Sequence, residues 1–261
     1  MKTSHLLIDL VVLLVVGLLA TSSYAKIDPE SCIGMWLFDE GAGDAAKDSS
    51  GNGNDGKLMN GPKWVEGKFG KALEFNGTNS YVQIPDSDSL NTPEKQVTMC
   101  AWIAPTRAAQ QLVLEKYIPT GGYEIELSAG SAIQGALCVS GTWVGWFGTK
   151  VVNLKEWSSV VCTYNEGDGE MNLYINGTMV EQFSVDGDIS PAVGDPINIG
   201  TWNGANGYWF AGTIDEVAVF NVALKDADIQ NLVDKGLKDS LLTAVELSGK
   251  LITTWSNIKS R

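Results

Sequence analysis

The chain has 261 residues, 44% of them hydrophobic, and carries 18 basic against 31 acidic side chains for a net charge of −13. A surface this acidic repels nucleic acid and anionic lipid, so neither is expected as a partner. The single histidine is His5, which leaves little scope for imidazole-based nucleophilic catalysis or zinc binding.

Residues 1–25 read as a secretory signal peptide. Lys2 supplies the positive start, residues 10–20 (LVVLLVVGLLA) the apolar run, and Ser23-Tyr24-Ala25 the small residues of a cleavage site. That run is too short for a membrane span of about 20 residues. The expected product is secreted (extracellular, periplasmic or at the cell surface), with no membrane insertion after cleavage; an uncleaved anchor is the minor alternative. Cleavage also removes His5, so a bound metal would have to be a hard cation held by oxygen, calcium or magnesium. Export permits disulfides among Cys32, Cys100, Cys138 and Cys162. Three pairings are open, and free buried thiols are the alternative.

A short N-terminal segment, 26–33, leads into strand-like runs. They cover 35–39, 72–75, 81–84, 97–104, 111–117 and 122–128, then 135–141, 157–164, 171–175, 179–185, 196–200 and 213–220. Many are rich in β-branched or aromatic residues with partial period-two alternation. Asn76-Gly77 and Asn176-Gly177 are NG pairs, the strongest short hairpin signal. A dozen strands without intervening helices predict an all-β, two-sheet antiparallel sandwich. One short C-terminal helix is expected over 224–236, with Ile229, Leu232 and Val233 on one face, Asp226 as N-cap and Gly236 as terminator. The tail, 236–261, is too small for its own core, and its role is not assigned.

The stretch DSSGNGNDG (48–56) contains a literal G-x-G-x-x-G. A dinucleotide loop would open a helix on its last glycine, but Gly61-Pro62 leave no room for one. A calcium hand counted from Asp48 would need a carboxylate at its twelfth position, which is Met59. The remaining reading is a tight turn of residues that tolerate positive φ.

The run 34–58 (GMWLFDEGAGDAAKDSSGNGNDGKL) resembles the opening of laminin-G-like jelly-roll domains of the concanavalin A-like lectin and glucanase superfamily. The likeness continues through 67–85, 97–106, 156–178, 196–200 and 212–224, and sets the domain at 34–235. It departs locally, at Cys100 and Ser158-Ser159, where the family more often has serine and paired histidines. The resemblance implies a jelly roll and makes 48–56 the turn after the first strand. It does not fix function, since lectins, adhesion modules and glucanases share this sandwich.

Three sets of residues are candidates for function. Superfamily glucanases carry catalytic acids as E-x-D-x-x-E, and the nearest match is Glu124 and Glu126, with Ala129 where the third acid belongs. The plainer reading is two acids on a solvated strand face, and no catalysis is expected. Two glycine-bracketed, loop-like stretches hold Trp143, Trp146 and Phe147 (141–149) and Trp202, Tyr208 and Trp209 (200–212). Their rings offer flat faces for sugars to stack on, or else plug the sandwich ends. Trp36, Trp64, Trp102 and Trp157 are assigned to the core. The resemblance also implies a structural calcium at Asp39, the Gly77 carbonyl and Asp215; the alternative is that both acids bond only to turn amides.

The favoured function is a secreted, non-catalytic module that binds an extracellular polysaccharide or a glycoprotein glycan. The alternatives are an extracellular structural or adhesion module that contacts a cell-surface protein and, third, a divergent glycoside hydrolase.

Overall fold

The computed structural model describes residues 27–203 and 207–241. The expected signal segment and the tail beyond 241 lie outside the described residues. The first eight strands are β1 (Cys32–Trp36), β2 (Ala45–Ala46), β3 (Gly56–Met59), β4 (Lys63–Glu66), β5 (Lys71–Asn76), β6 (Tyr81–Ile84), β7 (Gln96–Pro105) and β8 (Gln111–Ile118). The second eight are β9 (Gly121–Leu127), β10 (Ile133–Val139), β11 (Thr142–Phe147), β12 (Ser158–Asn165), β13 (Glu170–Ile175), β14 (Thr178–Ser184), β15 (Ile197–Ile199) and β16 (Ala211–Phe220). A helix, α1, occupies 226–241.

The strands form two antiparallel sheets. The first runs β14-β13-β12-β7-β16-β5-β4, with β1 also on β16; the second runs β11-β10-β9-β8-β15-β6-β3-β2. Apolar residues at alternate positions pack between them, including Trp36, Phe38, Leu73, Ile103, Ile125, Leu137, Val160 and Ile214. A second apolar cluster lies on the outer face of the first sheet. There Ile229, Leu232, Leu237 and Leu241 of α1 cover Met35, Cys100, Val161, Tyr174, Ala218 and Phe220. The helix therefore occupies one outer face, and the outer face of the second sheet carries the cleft described below.

The two NG pairs play different parts. Asn176 and Gly177 have φ of 51° and 78° and join β13 to β14 as a two-residue hairpin. Asn76-Gly77 instead carries the chain from one sheet to the other, because β5 pairs with β4 and β16 whereas β6 pairs with β3 and β15. The Asn76 side chain builds this turn, its Oδ1 accepting from the amides of Thr78, Asn79 and Ser80. A third hairpin, at Ser140-Gly141 (φ 50° and 78°), joins β10 to β11. Residues expected to form a loop at 141–149 are thus largely an edge strand, and the S-G pair was the signal for it.

The helix N-terminus also differs from expectation. Lys225 is the cap, since its carbonyl accepts from the Asp228 and Ile229 amides, while Asp228 Oδ2 accepts from the Lys225 amide in return. Asp226 instead accepts from the Tyr174 hydroxyl at 2.9 Å. Gly236 takes the left-handed φ of 78°, yet the chain is helical on its far side as far as 241. All four cysteines are free and buried. Packing alone accommodates them, as expected for a sandwich with a full core.

The 48–56 stretch is the expected turn, but Asp48 is more than a solvated loop acid. Its carboxylate accepts from the amides of Met35, Ser50 and Asn54 and from the Ser50 hydroxyl, at 2.9–3.0 Å. Asn54 Nδ2 donates to Ile33 O, and Trp36 Nε1 donates to Asn54 O, so the turn is latched along β1. Asp48→Ala should therefore cost about 2–3 kcal/mol, the scale of charge-assisted hydrogen bonds left unmade. Urea unfolding should show a lower midpoint with an unchanged slope; an unshifted midpoint would show that the latch contributes nothing.

Candidate ligand cleft

The cleft follows from strand alternation and two bulges. On β9, Tyr123, Ile125 and Leu127 point into the core, so Glu124 and Glu126 point outward. In β8 the register shifts between Leu112 and Leu114. That bulge lets Val113 and Leu114 both join the core, and places Glu115 opposite Glu124. On β10, Gln134 and Ala136 face the two β9 acids across the strand pair.

The second bulge shapes β11. Its register shifts against β10 between Gly135 and Ala136, with Gly145 at φ 129° and Trp146 at φ 54°. In a regular strand, residues three apart face opposite ways. Here Trp143 and Trp146 lie on the same side with ring centroids 5.9 Å apart, and Phe147 turns away to stack on Phe183 at 5.0 Å. The aromatic row continues from Trp143 to Tyr117 at 5.0 Å, from Tyr117 to Trp202 at 5.6 Å, and from Trp202 to Tyr208 at 5.9 Å. Beside this row lies a cleft of about 350 Å³ lined by Gln110, Leu112, Tyr117, Glu124, Glu126, Ser128, Ala129, Gln134, Trp146, Trp202 and Tyr208.

The structure thus gathers Trp143, Trp146, Trp202 and Tyr208 from the two aromatic stretches and adds Tyr117. Phe147 and Trp209 stand outside the cleft; Trp209 packs on Tyr81 at 6.0 Å. Tyr117, Glu115 and Gln110 escaped sequence reasoning. For the first two, the β8 bulge breaks the alternation that would have marked them as outward-facing.

Glu124 and Glu126 are not on a solvated face, being only 3% and 2% exposed. Glu124 Oε1 accepts from Trp146 Nε1, and the Glu126 carboxylate accepts from Gln110 Nε2 at 3.2 Å. Burial pushes Glu124 up to about 8, and the neighbouring Glu126 charge adds to the rise. Burial likewise pushes Glu126 up to about 7. Glu115 is fully buried and pushed up to about 8 by burial; its Oε1 accepts from Asn198 Nδ2 at 3.1 Å and from the Asn203 amide, while Oε2 has no partner.

Two carboxylates at i and i+2 on a strand stand about 7 Å apart at the backbone, within glycosidase range. Catalysis also needs environments that separate an acid from an ionised partner. Here one cause, burial, raises both acids together, and Ala129 supplies no third carboxylate.

Of the three residues expected to hold calcium, Asp39 and Asp215 meet at the β4–β5 turn, and Gly77 lies apart. Asp39 Oδ1 accepts from the Lys71 amide, and Asp215 Oδ2 from the amides of Lys68 and Phe69, so both acids hold the β4–β5 turn. Gly77 follows Asn76, which pairs with Ala211, four residues before Asp215. At strand rise that is about 13 Å away. Gly77 therefore does not join the two acids; turn amides occupy one oxygen of each, and Asp215 Oδ1 is buried without a hydrogen-bond partner.

The buried acids have a consequence for stability. Between about pH 4.5 and 8, Glu124 is protonated in the fold and ionised in the unfolded chain. The folded state then holds more protons, so this contribution is complete below the unfolded pKa and is lost as pH rises through 8. Glu124→Gln should leave stability near pH 4.5 little changed and make the protein more stable than wild type at pH 9. Urea midpoints at pH 4.5, 7 and 9 check this, and parallel profiles would refute it.

The fold and cleft can be set beside known proteins. No curated protein sequence matches the chain. Among solved structures, it is similar to the binding domain of Paraclostridial Mosquitocidal Protein 1, with a TM-score of 0.65 and 17% identity over 78% of this chain and 52% of that one. It is also similar to the binding domain of botulinum neurotoxin serotype G, at 0.62 and 15% identity over 77% and 50%. This chain thus spans about half the length of those toxin domains. Domain 4 of AbnA, a GH43 extracellular arabinanase from Geobacillus stearothermophilus solved with arabinotriose, matches at 0.62 and 19% identity over 78% of this chain and 98% of that one. These likenesses show the jelly-roll fold. The family model Laminin_G_3 matches residues 76–230, over half of the chain, and the protein belongs to the concanavalin A-like lectin/glucanase superfamily.

Proposed function

We propose that the protein is a non-catalytic module that acts outside the cell by binding a glycan in the outer cleft of its second sheet. One observation carries this reading: of five aromatic rings in continuous contact, Tyr117, Trp146, Trp202 and Tyr208 line a cleft that also presents Gln110, Glu124, Glu126, Ser128 and Gln134. Trp146 and Tyr208 are 42% and 44% exposed, so a ligand can reach their faces while their other edges are packed. Similar structures include a domain solved with arabinotriose and a toxin binding domain solved with SialylT, which supports a sugar ligand. The export segment expected at 1–25 supports action outside the cell, and no helix among the described residues is long and apolar enough to cross a membrane. The lack of a third carboxylate at Ala129 supports binding without hydrolysis.

A glycan array probed with the full chain, followed by titration of the strongest hit, tests the proposal. Trp146→Ala and Trp202→Ala should each weaken binding by about 2- to 10-fold, the size of one stacking contact, with the far-UV spectrum retained. No reducing sugar should be released from any bound glycan. Absence of every glycan signal would favour the protein-partner reading, and sugar release lost on Glu124→Gln would establish a hydrolase.

A further inference from the structure

We propose that the ligand of this cleft carries a positively charged nitrogen, as an amino sugar or a quaternary ammonium group does. The proposal rests on the cleft being the ligand site and adds the charge of what enters it. Its first support is the pairing of ring faces with acids. Tyr117, Trp146, Trp202 and Tyr208 line the same space as Glu124 and Glu126. Aromatic faces attract cations through the ring quadrupole, more strongly where water is displaced. Carboxylates attract them by ordinary Coulomb forces at low dielectric.

The second support is the absence of a protein cation to meet these acids. Among the described residues no lysine or arginine lines the cleft. Lys116 sits between Glu115 and Tyr117 in sequence, but its Nζ is committed to Asp86 Oδ1 and Asp195 O, and it is wholly buried. Arg107 donates to Trp209 O, outside the cleft. A buried carboxylate without a counter-charge either takes up a proton or waits for a cation. Near pH 7 burial keeps Glu124 protonated, so a ligand cation would take the place of that proton, whereas an anionic sugar would oppose ionisation of both acids.

The titratable groups around Glu124 all act in the same sense. Glu115 and Tyr117 face it from β8, Glu126 from its own strand, Cys138 from β10 near Tyr117, and Asp195 lies beyond Glu115. None of them carries a positive charge. A bound cation would lower the proton affinity of Glu124 and Glu126, so binding near pH 7 releases protons to solvent. For a permanent cation, affinity rises with pH as these acids ionise.

Calorimetric titration of the full chain tests this with four probes: a glucosamine oligosaccharide, its N-acetylated counterpart, a uronic-acid oligomer of equal length, and tetramethylammonium. At pH 7 the free-amine oligomer should bind about tenfold more tightly than the acetylated one, the scale of one desolvated cation–π contact, and the uronic-acid oligomer should bind least. Tetramethylammonium affinity should rise from pH 6 to pH 9, with proton release visible as a dependence on buffer ionisation heat. Glu124→Gln and Glu126→Gln should each reduce the preference for the amine. Binding of tetramethylammonium with neither oligomer would keep the charge proposal and assign the ligand to quaternary ammonium compounds. Equal or tighter binding of the acetylated oligomer, with the ratio unmoved in both variants, would overturn the charge proposal while glycan binding stands. Failure of all four probes would overturn the charge proposal, while the glycan array alone decides the glycan reading.

Discussion

One irregularity in β16 organises the sandwich. The strand's register shifts between Asp215 and Ala218, with Glu216 held at a φ of 52°. Before the shift, β16 pairs with β5 on one side and β7 on the other; after it, β1 takes the place of β5. The bulge falls where β5 gives way to β1, and it bends the strand at that point. The bulge also aims two acids. Asp215 reaches the amides of Lys68 and Phe69 in the β4–β5 turn, and Glu216 Oε2 accepts from the Leu237 amide of α1. Burial pushes the pair up to about 7 and about 8. Through Glu216 the helix is held against the first sheet, and its apolar face closes that side of the molecule. The second sheet's outer face is left for the aromatic cleft.

The regular part of this architecture was legible in the sequence. Runs such as 81–84 and 97–104 alternate or are β-branched, and each became a strand within a residue or two of its expected ends. The irregular part was not. β2, β3 and β4 are short strands of two to four residues with too few positions to show a period. The two NG pairs look identical in sequence, yet one closes a hairpin and the other crosses between sheets. A local turn preference sets φ, whereas the destination of the chain is set by which sheet buries the next apolar face.

The candidate site was legible in pieces that the sequence kept apart. The acids at 124 and 126 and the rings at 143–146 and 202–208 had separate explanations, one as a weak glucanase match and the other as loop platforms. The structure joins them because β9, β10 and β11 are consecutive neighbours and the β11 bulge turns Trp146 over Glu124. Bulges decide both halves of the site, and a bulge is a one-residue insertion with little compositional mark. Glu115 and Tyr117 were hidden for that reason, as was the burial of the acids beneath the rings.

Burial of the acids, in turn, bears on what the cleft is for. Glu115, Glu124 and Glu126 lie within one patch, nearly or wholly removed from water, and each has fewer partners than its oxygens can accept. Well-packed apolar or amide side chains in these positions would be expected to stabilise the domain, since uncompensated buried charge opposes folding. The sandwich core lies on the other face of the sheet and does not need them. Comparable buried acids elsewhere do hold something: Asp215 and Glu216 fix a turn and a helix through backbone amides. Of the three glutamates, Glu115 holds the Asn203 amide and does not line the cleft, whereas Glu124 and Glu126 line it and accept only from the Trp146 and Gln110 side chains. Glu124 and Glu126 line the cleft beside the rings, and on the proposed reading the rings fix where a ligand lies and these two acids which charge it carries.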